Sequence, residues 1–168
     1  MWILVLVRVV FGGGIDLDPF SERKCNRERV RANKYYSESH DGYSRVNPWF
    51  KKVFANPPGG TTNGKSNMGR ALKRAVKEFE EGNIECCIMV LKVAVGYHWF
   101  ETVYTLPHVF LRDKPKFVNP ERPDVVSSTP HGYVVVYIGN NEGAFIEAFQ
   151  DVGFIPGVGV SWAANRSI

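Results

Sequence analysis

The sequence predicts an α/β sheet with helices on both faces, and three observations carry that expectation. Ile84 to Val95 is a nearly continuous apolar run with β-branched residues, as expected of a strand covered on both sides. Before it, Met68, Leu72, Ala75, Val76 and Phe79 recur at steps of three and four, the spacing of an amphipathic helix. Around these, short apolar stretches alternate with helical patterns along most of the chain, which favours a layered sheet over a bundle or a sandwich.

Taken in order, Ile3 to Phe11 reads as a buried strand or a helix end, closed by Gly12, Gly13 and Gly14. Ile15 to Asp18 is a short strand that Pro19 terminates, and Ser21 is placed to cap a helix over residues 22 to 34. Residues 35 to 50 are polar and aromatic, with turn signals at Asp41-Gly42 and Asn47-Pro48. A strand over 52 to 55 runs into Asn56-Pro57-Pro58-Gly59-Gly60. Ser66 caps the amphipathic helix and Gly82 ends it. Residues 99 to 106 read as a short helix. Strands follow over 108 to 117 and 132 to 138, separated by a Pro- and Ser-rich loop at 119 to 131. Asn140 or Asn141 starts a last helix with Phe145, Ala148, Phe149 and Val152 on one face, ended by Gly153. The organisation expected is one domain over 1 to 155 and a loose tail over 156 to 168.

Size and composition exclude several classes. The 168 residues suffice for one well-buried core but not for two large domains. No apolar run approaches the roughly 18 residues of a membrane-spanning helix. The first seven residues lack the basic flank and cleavage site of a secretory signal. Three cysteines, two of them adjacent, argue against a disulfide framework and for a reducing, cytoplasmic setting. Four histidines show no ligand spacing, so no metal is expected.

Charge is unevenly distributed. Residues 1 to 84 carry 15 of the 21 Lys and Arg and 9 of the 17 Asp and Glu. The excess is densest from Arg23 to Lys34 and from Lys65 to Arg74, and a one-sided basic surface attracts polyanions. A solvated helix face is the alternative reading of the same run.

Two strand ends carry the chemistry. Asn56 precedes two prolines, which fix φ and lack N–H groups, so the segment is a stiff hook. The Asn56 side-chain oxygen and the Pro57 carbonyl are placed to accept both N–H groups of an adenine N6 amine. Held that way, the amine lone pair is localised and aimed at an incoming methyl group, a gain of orientation and electrostatics. A Pro- and Gly-containing loop without chemistry is the alternative. Asp16 and Asp18, ending an early strand, fit the two hydroxyls of a ribose, with capping or a turn as the alternative. Gly12 to Gly14 would let backbone approach a cofactor. Asp41 offers a further carboxylate, or simply a turn. Tyr35, Tyr36, Trp49, Phe50, Tyr97 and Trp99 are stacking surfaces or core.

The order of these segments resembles a known family. Gly-Gly-Ile-Asp-Leu-Asp-Pro, a basic helix, Ala32-Asn-Lys-Tyr-Tyr-Ser37, Asp41-Gly42 and Val53-Phe-Ala-Asn-Pro-Pro-Gly-Gly60 look like the phage-type DNA N-6-adenine methyltransferases, the Dam-like family. Lys116-Phe117 and Thr129-Pro-His-Gly-Tyr-Val-Val-Val136 look like its C-terminal hairpin, so the resemblance covers about residues 9 to 138. It implies a Rossmann-like methyltransferase fold, S-adenosylmethionine as donor and adenine N6 of DNA as acceptor. It implies Asn56, Pro57 and Pro58 as the catalytic motif and Asp16, Asp18 and Asp41 as cofactor-facing. Arg27, Arg31, Lys65 and Arg70 are the expected phosphate contacts. Two departures from the family stand out. Gly59 occupies the position where many members carry an aromatic, leaving Tyr97 and Trp99 as substitutes. The Trp-x-Thr-Pro stretch and helix before the acidic motif are not evident, so the fold is expected to be incomplete at its N-terminus. The expected function is a phage- or virus-encoded adenine-specific DNA methyltransferase acting on a flipped-out base. A catalytically impaired nucleic-acid-binding protein of the same fold is the alternative. RNA, a protein glutamine or a small molecule are the other acceptors considered.

Overall fold

The computed structural model describes residues 2 to 115, 117 to 119, 122 to 127 and 130 to 158. Its centre is a seven-stranded mixed sheet. The strands are β1 (Leu17–Asp18), β2 (Lys34–Tyr35), β3 (Lys51–Ala55), β6 (Ile84–Lys92), β7 (His108–Leu111), β10 (Tyr133–Ile138) and β11 (Gly153–Phe154). Their spatial order is β11-β7-β10-β6-β3-β1-β2. Parallel pairing joins β2, β1, β3 and β6, while β10 lies antiparallel between β6 and β7. Five of the seven strands therefore point one way, an α/β architecture compatible with a Rossmann-like fold.

The central strand alternates between two cores. Cys86, Ile88 and Val90 face one cluster, and Cys87, Met89 and Leu91 the other. The adjacent cysteines therefore point to opposite faces, and Cys25, Cys86 and Cys87 are all free thiols. The first face is covered by α1 (Ile3–Phe11), α2 (Arg23–Cys25, continued by a π turn over Asn26–Val30) and α5 (Glu142–Phe149). The second is covered by α3 (Asn67–Glu80) and α4 (Glu101–Tyr104).

Helix α1 corrects the expectation that no helix precedes the acidic motif. Its sequence is rich in β-branched residues, yet Ile3, Leu4, Val7, Val10 and Phe11 share one face at helical spacing and are buried. Burial outweighs a propensity difference of a few tenths of a kcal/mol per residue. Gly12, at φ 63°, turns the chain out of the helix. Arg8, which interrupts the apolar run, donates to the carbonyls of Leu4 and Val30, tying α1 to the end of α2. Helix α2 ends at Val30, short of residue 34. There the buried Asn26 amide pairs with both backbone groups of Ala32, and the Arg31 N–H reaches Asn26 across a π turn.

Other expectations change. Ser21 caps nothing: Glu22 occupies the N-cap of α2, and the Ser21 hydroxyl is buried. The strand expected over 108 to 117 stops at Leu111, and the loop expected over 119 to 131 holds β9 (Arg122–Ser127), which pairs with β8 (Phe117–Asn119). Gly153 opens β11 instead of ending a helix. Ser66 and Asn141 do cap α3 and α5, accepting from the N–H groups of Gly69 and Ala144. Most of the expected tail lies outside the described residues. Among those described, no helix is long and apolar enough to cross a membrane.

Candidate functional site

Strand β1 lies between β2 and β3, so the chain leaves β1 toward one side of the sheet and later returns on the other. Beyond the carboxyl ends of such strands the loops diverge and leave a crevice, where open α/β sheets bind ligands. Here that crevice is a cavity of about 580 Å³, within the size range of small-molecule sites. Pro19 to Glu22, leaving β1, form its floor and one wall. Ser37, Glu38 and Asp41 to Tyr43, following β2, form a second wall. Asn56 and Pro58, following β3, form a third, with Thr62, Asn67 and Arg70 beside them.

The hook after β3 is braced from outside. Asn67, the first residue of α3, donates its side-chain amide to the Gly59 carbonyl (3.1 Å) and its backbone N–H to Gly60 (3.0 Å). Thr62 donates to the Asn67 side-chain oxygen, fixing that amide. Strands β4 (Thr61–Thr62) and β5 (Lys65–Ser66) pair across Asn63-Gly64, both at positive φ, the geometry of a tight two-residue hairpin turn. The Asn56 side chain, half-buried at the cavity edge, makes no hydrogen bond among the described residues, nor does the Pro57 carbonyl.

The wall after β2 is held by an unusual clamp. Gly42 approaches the Pro19 carbonyl so closely that any Cβ would overlap it. Its own carbonyl accepts from Trp49 Nε1 and from Arg74. Arg74 also donates to the carbonyls of Ser44 and Asn47 and pairs with Glu78 at 3.1 Å, both side chains being only 10% exposed. Sequence reasoning placed Arg74 in the phosphate-binding surface. The structure commits its guanidinium to loop carbonyls instead.

The other expected residues separate into two groups. Asn56, Pro58, Asp41 and Arg70 line the cavity, with Pro57 buried inside the hook. Lys65 is exposed on β5, paired with Thr62 of the cavity wall. Asp16 stands at the opposite, amino end of the strands, accepting from the Asn33 side chain and the Lys52 N–H. Gly12 to Gly14 also precede β1, on that side. Arg31 follows α2 there, and Arg27 is exposed beside Glu28. Asp18 lies beneath the floor, 2% exposed, accepting from the Phe20 N–H. Burial pushes its carboxyl up to about 7, against the opposing pull of the Phe20 N–H and the Ser21 hydroxyl. Trp99 does not reach the cavity: its ring packs on Gly69 in the first turn of α3. Tyr97 is 65% exposed.

Among the lining residues that the sequence did not single out are Phe20, Glu22, Glu38, Tyr43 and Asn67. Glu38 carried a signal, since it stands 20 residues after Asp18 and just beyond the second strand, where an acidic side chain meets ribose hydroxyls in dinucleotide folds. Asn63-Gly64 was an equally plain hairpin signal. The resulting electrostatics are mixed. Glu22, Glu38 and Asp41 line the cavity from the β1 and β2 side, Glu22 accepting from the Glu38 N–H and Asp41 from the Tyr43 N–H, and the Arg70 guanidinium lies 4.2 Å over the Tyr43 ring of the same wall. Tyr43 is neutral: burial pushes its hydroxyl up to about 12, with Arg70 opposing the shift. No cluster of metal-ligating side chains exists among the described residues.

Comparison was made with protein-family models, with curated proteins and with solved structures. None matches.

Proposed function

We propose that the chain is a DNA adenine N6-methyltransferase using S-adenosylmethionine, a Rossmann-like enzyme similar to the phage-type, Dam-like family. The observation that carries this reading is the Asn56 side chain. It is half-buried, unpaired among the described residues, and set on a proline-stiffened hook at the edge of a cavity at the sheet's switch point. An amide left without a partner at a cavity edge, beside a carbonyl also without one, is a receptor for a planar amine.

The donor set supports the cofactor. S-adenosylmethionine supplies a methyl group activated by a sulfonium, and a cation of this kind is favoured beside the carboxylates of Glu22, Glu38 and Asp41. Glu38 and Asp41 are the residues that would hold it, rather than Asp16 and Asp18. Asn56 Oδ1 and the Pro57 carbonyl would accept the two amine hydrogens of the adenine. S-adenosylmethionine would supply the methyl group there, with S-adenosylhomocysteine leaving with the C–S electron pair, while the hook would hold the amine lone pair toward the donor and the amine proton would pass to solvent. Lys65 and Arg70 stand on the side where the phosphates of a flipped nucleotide would lie.

Incubation with labelled S-adenosylmethionine and DNA, read out as N6-methyladenine by mass spectrometry, tests this directly. Asn56→Ala is expected to abolish transfer while melting temperature and DNA affinity stay near those of the parent. Normal methylation by that variant would remove the hook from the chemistry. DNA binding without any S-adenosylmethionine binding would replace the reading by a non-catalytic nucleic-acid-binding one.

A further inference from the structure

One cation stands against the hook and has no role in the chemistry above. Lys92 ends β6, the strand parallel to β3, and is half-buried. Its N–H is held by the Met68 sulfur of α3, and its Nζ lies 3.3 Å from where a Cβ on Gly59 would stand. Gly59, at the position that the resembled family often fills with an aromatic, thus leaves room for an ammonium. That ammonium has no hydrogen-bond or ion-pair partner among the described residues. The backbone beside it is equally free. The N–H groups of Gly59 and Gly60 donate to no acceptor among the described residues, and both glycines are exposed. Asn67 holds the Gly59 carbonyl, and in a planar trans peptide the Gly60 N–H points the opposite way, away from that bond. Gly60 itself turns the chain at φ 80°. Successive unbonded N–H groups at such a turn, beside a cation, make a seat for an anion.

We propose that Gly59, Gly60 and Lys92 seat the backbone phosphate of the nucleotide whose base enters the cavity. The proposal rests on the methyl-transfer reading for the identity of that base. Asn56 and Pro58 line the cavity, whereas Gly59, Gly60 and Lys92 do not, so the seat lies outside it. An anion bound there belongs to a group that stays outside when a base inserts, and in a flipped nucleotide that group is the phosphate. Charge supports the same choice. Methyl transfer to an amine builds positive charge on nitrogen, and a bare ammonium against the hook opposes it. A phosphate on Lys92 removes that opposition at the moment the base is in place.

Fluorescence anisotropy with a mixed-sequence single-stranded DNA, whose bases need no flipping, tests the seat without turnover. Each phosphate contact on a single strand contributes about 0.7 to the slope of log affinity against log salt. Lys92→Met keeps the stem and should lower the slope by about that amount, and Lys92→Arg should restore it. Lys77→Met is the control, since Lys77 is paired with Glu81 on α3 and should leave the slope unchanged. Competition with 2′-deoxyadenosine 5′-monophosphate and with 2′-deoxyadenosine then locates the phosphate. Wild type should prefer the monophosphate by about 10-fold, the effect of one charge-assisted hydrogen bond, and Lys92→Met should lose that preference. An unchanged slope in Lys92→Met overturns the proposal, as does an equal fall in Lys77→Met or equal competition by the two probes in wild type. Weaker S-adenosylhomocysteine binding by Lys92→Met with the DNA slope intact overturns it in favour of the carboxylate of the methyl donor. Lys92-dependent binding of DNA and monophosphate without any methyl transfer leaves the seat standing and defeats the methyltransferase reading instead.

Discussion

Removing the Arg74 side chain should loosen the wall of the cavity from behind. The guanidinium makes three hydrogen bonds of 2.8 to 2.9 Å to the carbonyls of Gly42, Ser44 and Asn47 and an ion pair with Glu78 at 3.1 Å. Its flat face also lies 5.0 Å from the Trp49 ring centre. Hydrogen bonds to a charged group contribute about 1.5–3 kcal/mol each, but four that share one side chain do not add. The better guide is the cost of breaking a buried pair and stranding its partner, about 3–5 kcal/mol. Arg74→Ala leaves Glu78 with the Asn83 amide alone and the Asn47 carbonyl without a partner, while the Gly42 and Ser44 carbonyls keep the N–H groups of Trp49 and Asn47, so the lower end of that range, about 3 kcal/mol, is expected. For a chain of this length it corresponds to a drop in melting temperature of roughly 6–12 °C. Arg74→Lys keeps the charge but cannot span three carbonyls, so it should recover only a fraction. Arg45→Ala is the control, because Arg45 and Glu81 meet at 3.9 Å with side chains 67% and 43% exposed, and such pairs contribute at most about 1 kcal/mol. Thermal melts by circular dichroism give the stability, and amide hydrogen exchange should show residues 41 to 49 opening first. An Arg74→Ala protein that melts within about 2 °C of the parent, with that loop still protected, would refute the clamp.

Two further outcomes follow from the same wall and floor. Gly42→Ala places a Cβ against the Pro19 carbonyl oxygen, so the loop must move off the β1 exit. A stability loss of about 1–3 kcal/mol is expected by chemical denaturation, together with weaker ligand binding. Asp18 gives a pH signature. Its folded pKa, about 7, lies above the unfolded value near 3.8. The unfolded chain therefore ionises first, and stability falls as pH rises from about 4 to about 7, levelling above that. Asp18→Asn should remove this part of the slope, by an amount of order 2–4 kcal/mol between pH 4 and pH 8. An unchanged slope in urea titrations of that variant would place the titration elsewhere.

Much of the scaffold was legible in local sequence. The period of α3, its Ser66 cap and the unbroken apolar run of β6 are short-range signals, and each element forms where they point. The hook was legible for the same reason, because two prolines dictate backbone geometry without help from the rest of the chain. Helix α1 was ambiguous, since a short β-branched apolar run satisfies a strand and a buried helix equally until its partners are known.

Which side chains meet at the cavity belongs to tertiary structure. Asp16 and Asp18 differ by two residues, yet one lies at the amino end of the strands and the other is buried beneath the cavity floor, because β1 is only two residues long and its exits bend at once. Arg70 and Arg74 lie one helical turn apart in the same basic run. Arg70 reaches the cavity and Arg74 is spent on loop carbonyls, since that loop folds back over the latter. Local sequence determines the conformation of each segment through φ, caps and periodicity. The order of strands in the sheet determines which loops become neighbours, and through that which charges are left free to meet a ligand.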